Sequence, residues 1–358
     1  MTFRNAYAGR RVLVTGHTGF KGSWLVLWLQ ALGAQVTAIS LPPETSPNHW
    51  DLLGLDVASF HIDIRDEERL RRQVAESRPE MVFHLAAQPL VRRSYRKPLD
   101  TWATNVMGTA NLLDACRQVE GLAAIVVVTT DKCYENKEWA WGYREIDPLG
   151  GHDPYSASKA GSELVAASYR RAFFDTPSSP LLATARAGNV VGGGDWSEDR
   201  LVPDLVRSVE TANALQIRSP RSTRPWQHVL ECLSGYLSLG QRLLEGDRDC
   251  ADAWNFGPDR EGNRRVEEVL GALKRTWPTV EWNCNDGPQP HEARLLQLDS
   301  SKSRERLGWQ PVWSFEDGIA ATADWYQAFL ERGEVVSAAQ LERYVDTASS
   351  RGLAWAAT

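Results

Sequence analysis

At 358 residues, with 42% apolar and 24% charged side chains, the chain has ordinary globular usage and length for one large domain or two unequal ones, which excludes a disordered or fibrous protein. A formal charge of −6, from 40 basic and 46 acidic side chains, gives no global attraction to nucleic acid or to an anionic membrane, so any anion site must be local. Five cysteines, widely spaced and outside any CxxC or Cys/His cluster, predict reduced thiols in a cytoplasmic protein without a metal.

The N-terminus "MTFRNAYAGRRVLVTG" has no apolar core of the kind a signal peptide needs, because Arg4, Arg10 and Arg11 bracket only small or mixed residues. A first strand, "RVLVTG", runs into "VTGHTGFKGSWL", where Gly16, Gly19 and Gly22 form a GxxGxxG turn ahead of a helix near Phe20 to Leu32. Glycines there permit a tight turn, close approach of backbone N–H groups to a pyrophosphate, and close packing of helix on strand. The uncharged run from Gly22 to Pro43 is long enough to span a membrane. Gln30, Gly33 and Gln35 interrupt it and two prolines end it, which predicts a buried helix followed by a strand.

That second strand, "QVTAIS", ends in Ser40, where a carboxylate for the adenosine ribose is usual. No arginine pair for a 2′-phosphate is apparent either, and NAD is favoured over NADP. A third strand, "SFHIDI", places Asp63 and Ile64 where they would flank an adenine. The strands "MVFHLAA", "AIVVVTT" and "LLATARAG" follow, alternating with helices near Asp66 to Ser77, Leu99 to Val119 and Ser156 to Phe174. Several strands are apolar on both faces, as in a parallel sheet covered by helices.

At the end of "AIVVVTT" the chain turns polar at Thr130, Asp131 and Lys132. In isolation such a pair is a solvated strand end; function in a parallel sheet gathers at this edge. Cys133 has no clear histidine partner and reads as a packed thiol. "DPYSASKAGSEL" puts Tyr155 and Lys159 one helical turn apart on one face, where an ammonium favours the phenolate and lets tyrosine act as a base. Beyond Gly188 loops rich in glycine, proline and charge predominate. The expected division is residues 1–188, mainly a NAD-binding sheet domain, and 189–358, mainly a smaller lobe with segments returning to the sheet.

The motifs "TGHTGFKG", "HLAAQ", "TNVMGTANLLDA" and "YSASK", in that order, resemble the extended short-chain dehydrogenase/reductase superfamily. Within it, "TTDKCYENKEW", "ARAGNVVGGGDW", "RPWQHVLE" and "DGPQPHEARLLQLDSSKSRERLGWQP" are similar to the CDP-glucose 4,6-dehydratases. The resemblance implies a doubly wound Rossmann-type sheet with a smaller lobe, tightly bound NAD, CDP-glucose as substrate and a homodimer or homotetramer. It implies Tyr155 with Lys159 as the base at the sugar C4 hydroxyl and Thr130 as its hydrogen-bond partner. Asp131 would be the acid at C6. Lys132 stands where related dehydratases carry a glutamate base, so a C5 base and an electrostatic group both remain open for it.

The resemblance also assigns Gly16, Thr18, Gly19, Phe20, Gly22, Ser40, Asp63, Ile64, Leu85, Ala86, Ala87, Asn105, Tyr155 and Lys159 to the cofactor. The substrate would take Gln88, Asn189, Arg224 and Arg294, with Arg224 on the diphosphate. Arg186 is balanced between a phosphate ligand and a buried ion pair, and His228 reads as structural. A different nucleotide-sugar dehydratase, a 4-epimerase and a nucleotide-sensing Rossmann protein are the alternatives. The helices from Leu99 and around Tyr155 are the expected oligomer faces.

Overall fold

The computed structural model describes residues 2–217, 219–284 and 295–357. Its strands are β1 (Arg11–Thr15), β2 (Gln35–Ser40), β3 (Ala58–His61), β4 (Met81–His84), β5 (Ala124–Val128), β6 (Leu181–Ala187), β7 (Asn189–Val191), β8 (Leu215–Ile217), β9 (Thr223–His228), β10 (Ala253–Phe256), β11 (Asn263–Arg265) and β12 (Trp282–Cys284). Seven of them form one sheet in the order β10-β6-β5-β4-β1-β2-β3, with every pairing parallel. The expected doubly wound Rossmann-type sheet is present. The chain leaves β1 toward β2 and β3, then returns to β4 on the other side, so the strand order reverses between β1 and β4. A crevice opens at the carboxyl ends of those two strands, and that is where a ligand fits in such sheets.

Side chains of period two explain why the strands read as apolar on both faces. Val12 and Val14 of β1, with Phe83 and Val126, pack on one side against the helices Phe20–Ala31 and Val229–Leu244; Leu13, Val82, Ile125 and Val127 pack on the other, in a cluster with Leu70, Leu112 and Ala166. The helix Phe20–Ala31 is buried on most of its circumference, with Trp24, Leu25, Val26, Trp28 and Leu29 all within about 1% of full burial. This accounts for a sequence that carries no charge after Lys21. Among the described residues no helix is long and apolar enough to cross a membrane.

The remainder of the chain after β6 is interleaved with the sheet. β10 returns to form its edge, while β7, β9 and β11 make a small mixed sheet and β8 pairs with β12. Trp24 donates its indole N–H to the carbonyl of Gly193 (2.9 Å), which ties the first helix to the loop after β7. Tyr326 does the same for that loop from the helix Phe315–Arg332, donating to the Asp195 carbonyl (2.6 Å). The abundance of tryptophan is thus largely a matter of core: Trp24, Trp28, Trp254, Trp309 and Trp325 are among the largest fully buried side chains.

One expected helix is broken. The stretch from Leu99 to Val119 forms Pro98–Trp102, a π-helical turn Ala103–Met107, and then Gly108–Cys116. The turn is wide because the Asn105 carbonyl accepts from Thr109 (2.6 Å) and Ser162 (2.7 Å), a tertiary demand that periodicity does not carry.

Candidate active site

The glycine turn is set by close approach. Gly16 has φ +80°, and a Cβ there would lie 2.6 Å from the Ala86 nitrogen; a Cβ on Gly22 would lie 2.1 Å from the Gly16 carbonyl oxygen. Neither position tolerates a side chain. The helix then begins at Gly19 with no side-chain cap, so its first N–H groups face the crevice between β1 and β4. This arrangement fits a dinucleotide pyrophosphate. Thr18 and Ser40 share a hydrogen bond (2.8 Å) at the rim, Leu85, Ala86 and Ala87 continue β4 beside the turn, and Phe20 is buried beneath it.

Other residues assigned to the cofactor have local work. Asp63 is held by Arg65 through a fork of bonds as short as 2.6 Å, which keeps its carboxyl below the usual range. Ile64 is buried against the α-carbon of Gly108. Asn105 accepts from the Gln88 N–H (2.8 Å) and donates to the Gln88 carbonyl and to Ser158 (2.9 Å), clamping the loop after β4 to the helix Pro154–Ala172. The Gln88 side chain folds back onto Leu90 and Thr101. Asn105 and Gln88 therefore act here as loop supports.

The proton-handling residues converge from two elements. Asp153 caps the helix Pro154–Ala172 by accepting from the Ser156 N–H (2.9 Å), and Pro154 occupies the first turn, which fixes Tyr155 and Lys159 at the open edge of the sheet. Both are buried. Lys159 donates to the Val128 carbonyl at the end of β5 (3.2 Å). Burial, then the neighbouring Lys21 ammonium, lower Lys159 to about 8. Burial pushes the Tyr155 phenol up to about 12, opposed by the Thr130 hydroxyl and by Arg200.

At the end of β5, Thr130 caps a single 3₁₀ turn and donates to Asp131 Oδ1 (2.9 Å). Asp131 is 1% exposed and its Oδ2 has no partner. Burial raises its pKa, and that effect prevails over the opposing pulls of Lys132, Thr130, Arg224 and Lys21. A carboxyl in this state can serve as a proton donor, and one of its oxygens is left without a partner.

A cleft of about 320 Å³ leads to these groups, lined among others by Lys132, Tyr155, Asn189, Asp195, Arg200 and Arg224. Asn189 and Arg224 come from β7 and β9, whose pairing sets Asn189 opposite Trp226. Arg224 is buried on the strand. Arg294 lies outside the described residues. Sequence reasoning missed two cations. Arg200, paired with Asp195 (3.3 Å), faces the cleft and the Tyr155 phenol. Lys21 interacts with Asp131 and Lys159 from the glycine turn. Each had a signal: Lys21 is the lone charge at the mouth of an otherwise uncharged helix, and Arg200 precedes an amphipathic one.

Arg186 resolves as a structural residue. It forms a two-pronged ion pair with Glu163 (2.8 and 2.9 Å) and donates to Tyr134 (2.7 Å), all buried. His228 accepts from the Leu230 N–H at the start of the helix Val229–Leu244. Cys133 is fully buried and burial pushes its thiol far up. Among the described residues no group of three His, Cys, Asp or Glu side chains could hold a metal.

A glycine turn at the β1–β4 crevice, a Tyr-Lys pair on one helix face, and a threonine at the end of β5 together define an extended short-chain dehydrogenase/reductase. The family model for GDP-mannose 4,6 dehydratase matches residues 13–250, and the chain belongs to that family. It is 48% identical, over 93% of this chain and 95% of the relative, to the CDP-glucose 4,6-dehydratase of Salmonella typhimurium. A UDP-glucose 4-epimerase of Mycolicibacterium smegmatis is 29% identical over 88% of this chain and 98% of its own. Among solved structures, DesIV, the dTDP-glucose 4,6-dehydratase of Streptomyces venezuelae crystallised with NAD and TYD bound, superposes with a TM-score of 0.76 at 28% identity, covering 90% of this chain and 98% of that one.

Proposed function

We propose that this protein is a lyase that retains NAD and converts CDP-D-glucose to CDP-4-dehydro-6-deoxy-D-glucose and water. The observation that carries this reading is Asp131: a buried carboxyl with a raised pKa and a free Oδ2, one residue from Thr130 and within electrostatic reach of Tyr155. A 4-epimerase has no use for an acid at C6. The close relationship to a CDP-glucose 4,6-dehydratase supports the nucleotide and the sugar.

NAD, when bound along the glycine turn, accepts a hydride from sugar C4 and returns it to C6. Tyr155 takes the proton of the C4 hydroxyl, with Thr130 holding that oxygen and Lys159 favouring the phenolate. The resulting ketone acidifies C5–H. A base removes the C5 proton, and Asp131 gives its proton to the C6 hydroxyl, which leaves as water. Hydride return to C6 and reprotonation at C5 complete a redox-neutral cycle. Arg224, with Arg200 beside the same cleft, would neutralise the diphosphate; Asn189 would contact the sugar diphosphate. We assign Arg294 to the same nucleotide on family grounds alone.

Lys132 faces the cleft from the turn that carries Asp131, and we propose it as the C5 base or the cation beside the enolate. Lys132→Ala discriminates: as a base its loss stops deuterium exchange at C5 while reduced cofactor still forms, and undiminished exchange removes that role. We further propose a NAD-binding unit of residues 1–188, a substrate lobe of residues 189–358, a cytoplasmic location suited to free thiols, and a homodimer or homotetramer. The function itself is tested by incubating the protein with CDP-glucose and looking for the 4-ketosugar by mass. Ketosugar from another nucleoside diphosphate glucose but not from CDP-glucose would overturn the assignment.

A further inference from the structure

The segment from Thr129 to Tyr134 carries Thr130, Asp131 and Lys132, and its own bonds hold it weakly. Across the 3₁₀ turn the Cys133 N–H stands 3.4 Å from the Thr130 carbonyl, and the Tyr134 N–H 3.5 Å from that of Asp131. Both ends are tied from outside instead. At the first, the Thr129 hydroxyl donates to Glu163 Oε1 (2.5 Å) and the Thr129 N–H to the Ala185 carbonyl (2.9 Å). At the second, the Tyr134 hydroxyl accepts from Arg186 (2.7 Å) and donates to Asn255 of β10 (2.7 Å), while the Cys133 carbonyl accepts from the Gly150 N–H (2.9 Å). Arg186 and Glu163 are joined by their two-pronged pair, and Thr184 gives Glu163 a further donor (2.7 Å). Thr129, Glu163, Arg186 and Tyr134, all buried, thus close a ring of side chains with the segment.

The ring is also fastened to the helix Pro154–Ala172, where Glu163 lies one turn beyond Lys159 and two beyond Tyr155 on the same face. The helix that carries the base therefore carries the carboxylate on which the acid-bearing segment hangs. Two charges taken out of water bear a desolvation cost that packed apolar residues avoid, so cohesion of the fold is a poor reason for the pair. Fixed geometry is a better one, since misplacing a reacting group by about 1 Å costs on the order of 10² in rate.

We infer that the Arg186–Glu163 pair, acting through Thr129 and Tyr134, positions Asp131 and Lys132 against Tyr155, so that water elimination depends on the ring more than C4 oxidation does. This rests on the proposed dehydration and deepens it. None of the four side chains lines the cleft, so all four are positioning residues. Tyr155 and Lys159 are fixed by their own helix, and the first hydride transfer therefore survives a loosened turn.

Tyr134→Phe removes the hydroxyl that joins the turn to Arg186 and Asn255 and keeps the aromatic ring. With CDP-glucose, kcat is expected to fall about tenfold at nearly unchanged KM, and rapid mixing should show reduced cofactor accumulating by its near-ultraviolet absorbance beyond the wild-type level. Thr129→Val unties the other end and should give the same split, whereas Thr129→Ser keeps the hydroxyl and should restore wild-type behaviour. If Tyr134→Phe fails to fold, the two Thr129 variants decide. Full turnover in Tyr134→Phe and Thr129→Val overturns the inference. So does a fall in kcat without accumulated reduced cofactor, which makes the ring a support of the fold alone. A wild type that forms no ketosugar from any nucleoside diphosphate glucose refutes the dehydration on which the inference rests; one that accepts a nucleotide other than CDP leaves the split measurable on that substrate.

Discussion

Asp131 shows how one side chain acquires a task from its surroundings. Ionised, it would face the desolvation of a site where it is 1% exposed; protonated, it accepts from Thr130 and keeps the proton that the proposed mechanism gives to the departing hydroxyl. Asp131→Asn preserves shape and removes the proton. Turnover should fall by about 10²–10⁴-fold, while the first hydride transfer persists, so that mixing with CDP-glucose leaves reduced cofactor visible by its near-ultraviolet absorbance. Full turnover in this variant would remove Asp131 from the mechanism. Thr130, Asp131, Tyr155 and Lys159 were legible in the chain because each sits at a topologically defined place, a strand end or a helix face. Lys21 and Arg200 left only a weak signal, because their meaning depends on what Asp131, Asp195 and Lys159 bring from elsewhere in the chain.

At the level of elements, alternation of both-face apolar strands with helices was enough to foresee the parallel sheet, since burial on both sides imposes that pattern directly. The π-helical turn at Ala103–Met107 was hidden, because Gln88, Ser158 and Ser162 create it from other parts of the chain. Around this turn the outer surface is unusually apolar: Leu99 is 82% exposed, Leu164 on the adjoining helix 62%, and Trp102 and Met107 are also exposed. Large apolar side chains gathered on two neighbouring helices favour association with a second copy. Leu164→Arg places a charge at this surface with little expected cost to the fold, within about 0.5 kcal/mol for an exposed position. Sedimentation equilibrium should show the variant at lower mass than wild type with unchanged circular dichroism. Equal masses would move the interface to another face.

The whole molecule carries a further property that no motif announces, namely how its buried histidines respond to acid. His17, His49, His84 and His228 are buried; burial lowers His17 to about 4 and the other three to about 3, with Lys159 adding to the effect at His84 and Arg343 at His228. Their bonds are to hydroxyls or a backbone N–H: Ser59 for His17, Ser23 and Ser337 for His49, Thr15 and Thr109 for His84, and Leu230 for His228. No carboxylate in these bonds stabilises an imidazolium. Since each folded pKa lies below the unfolded value near 6.5, the unfolded chain binds more protons below that pH, and stability falls as pH falls.

Glu231 opposes them. Burial raises it to about 7 despite its bonds from Val312, Trp313 and Tyr344, so between about pH 4.5 and 7 unfolding releases its proton, and its contribution is lost as pH rises through that range. Near pH 5.5 four histidines take up protons while Glu231 and the protonated Asp131 each give one back, a net uptake of roughly two, or a slope of roughly 3 kcal/mol per pH unit. Urea unfolding at fixed NAD concentration across pH 5–6 measures this slope. Replacing His84 by Asn should reduce it by about one proton, and Glu231→Gln should steepen it by about one. A wild-type slope below one proton would mean that the histidine sites admit charge, by water or by local opening, and that burial of His17, His49, His84 and His228 does not set the acid limit of the fold.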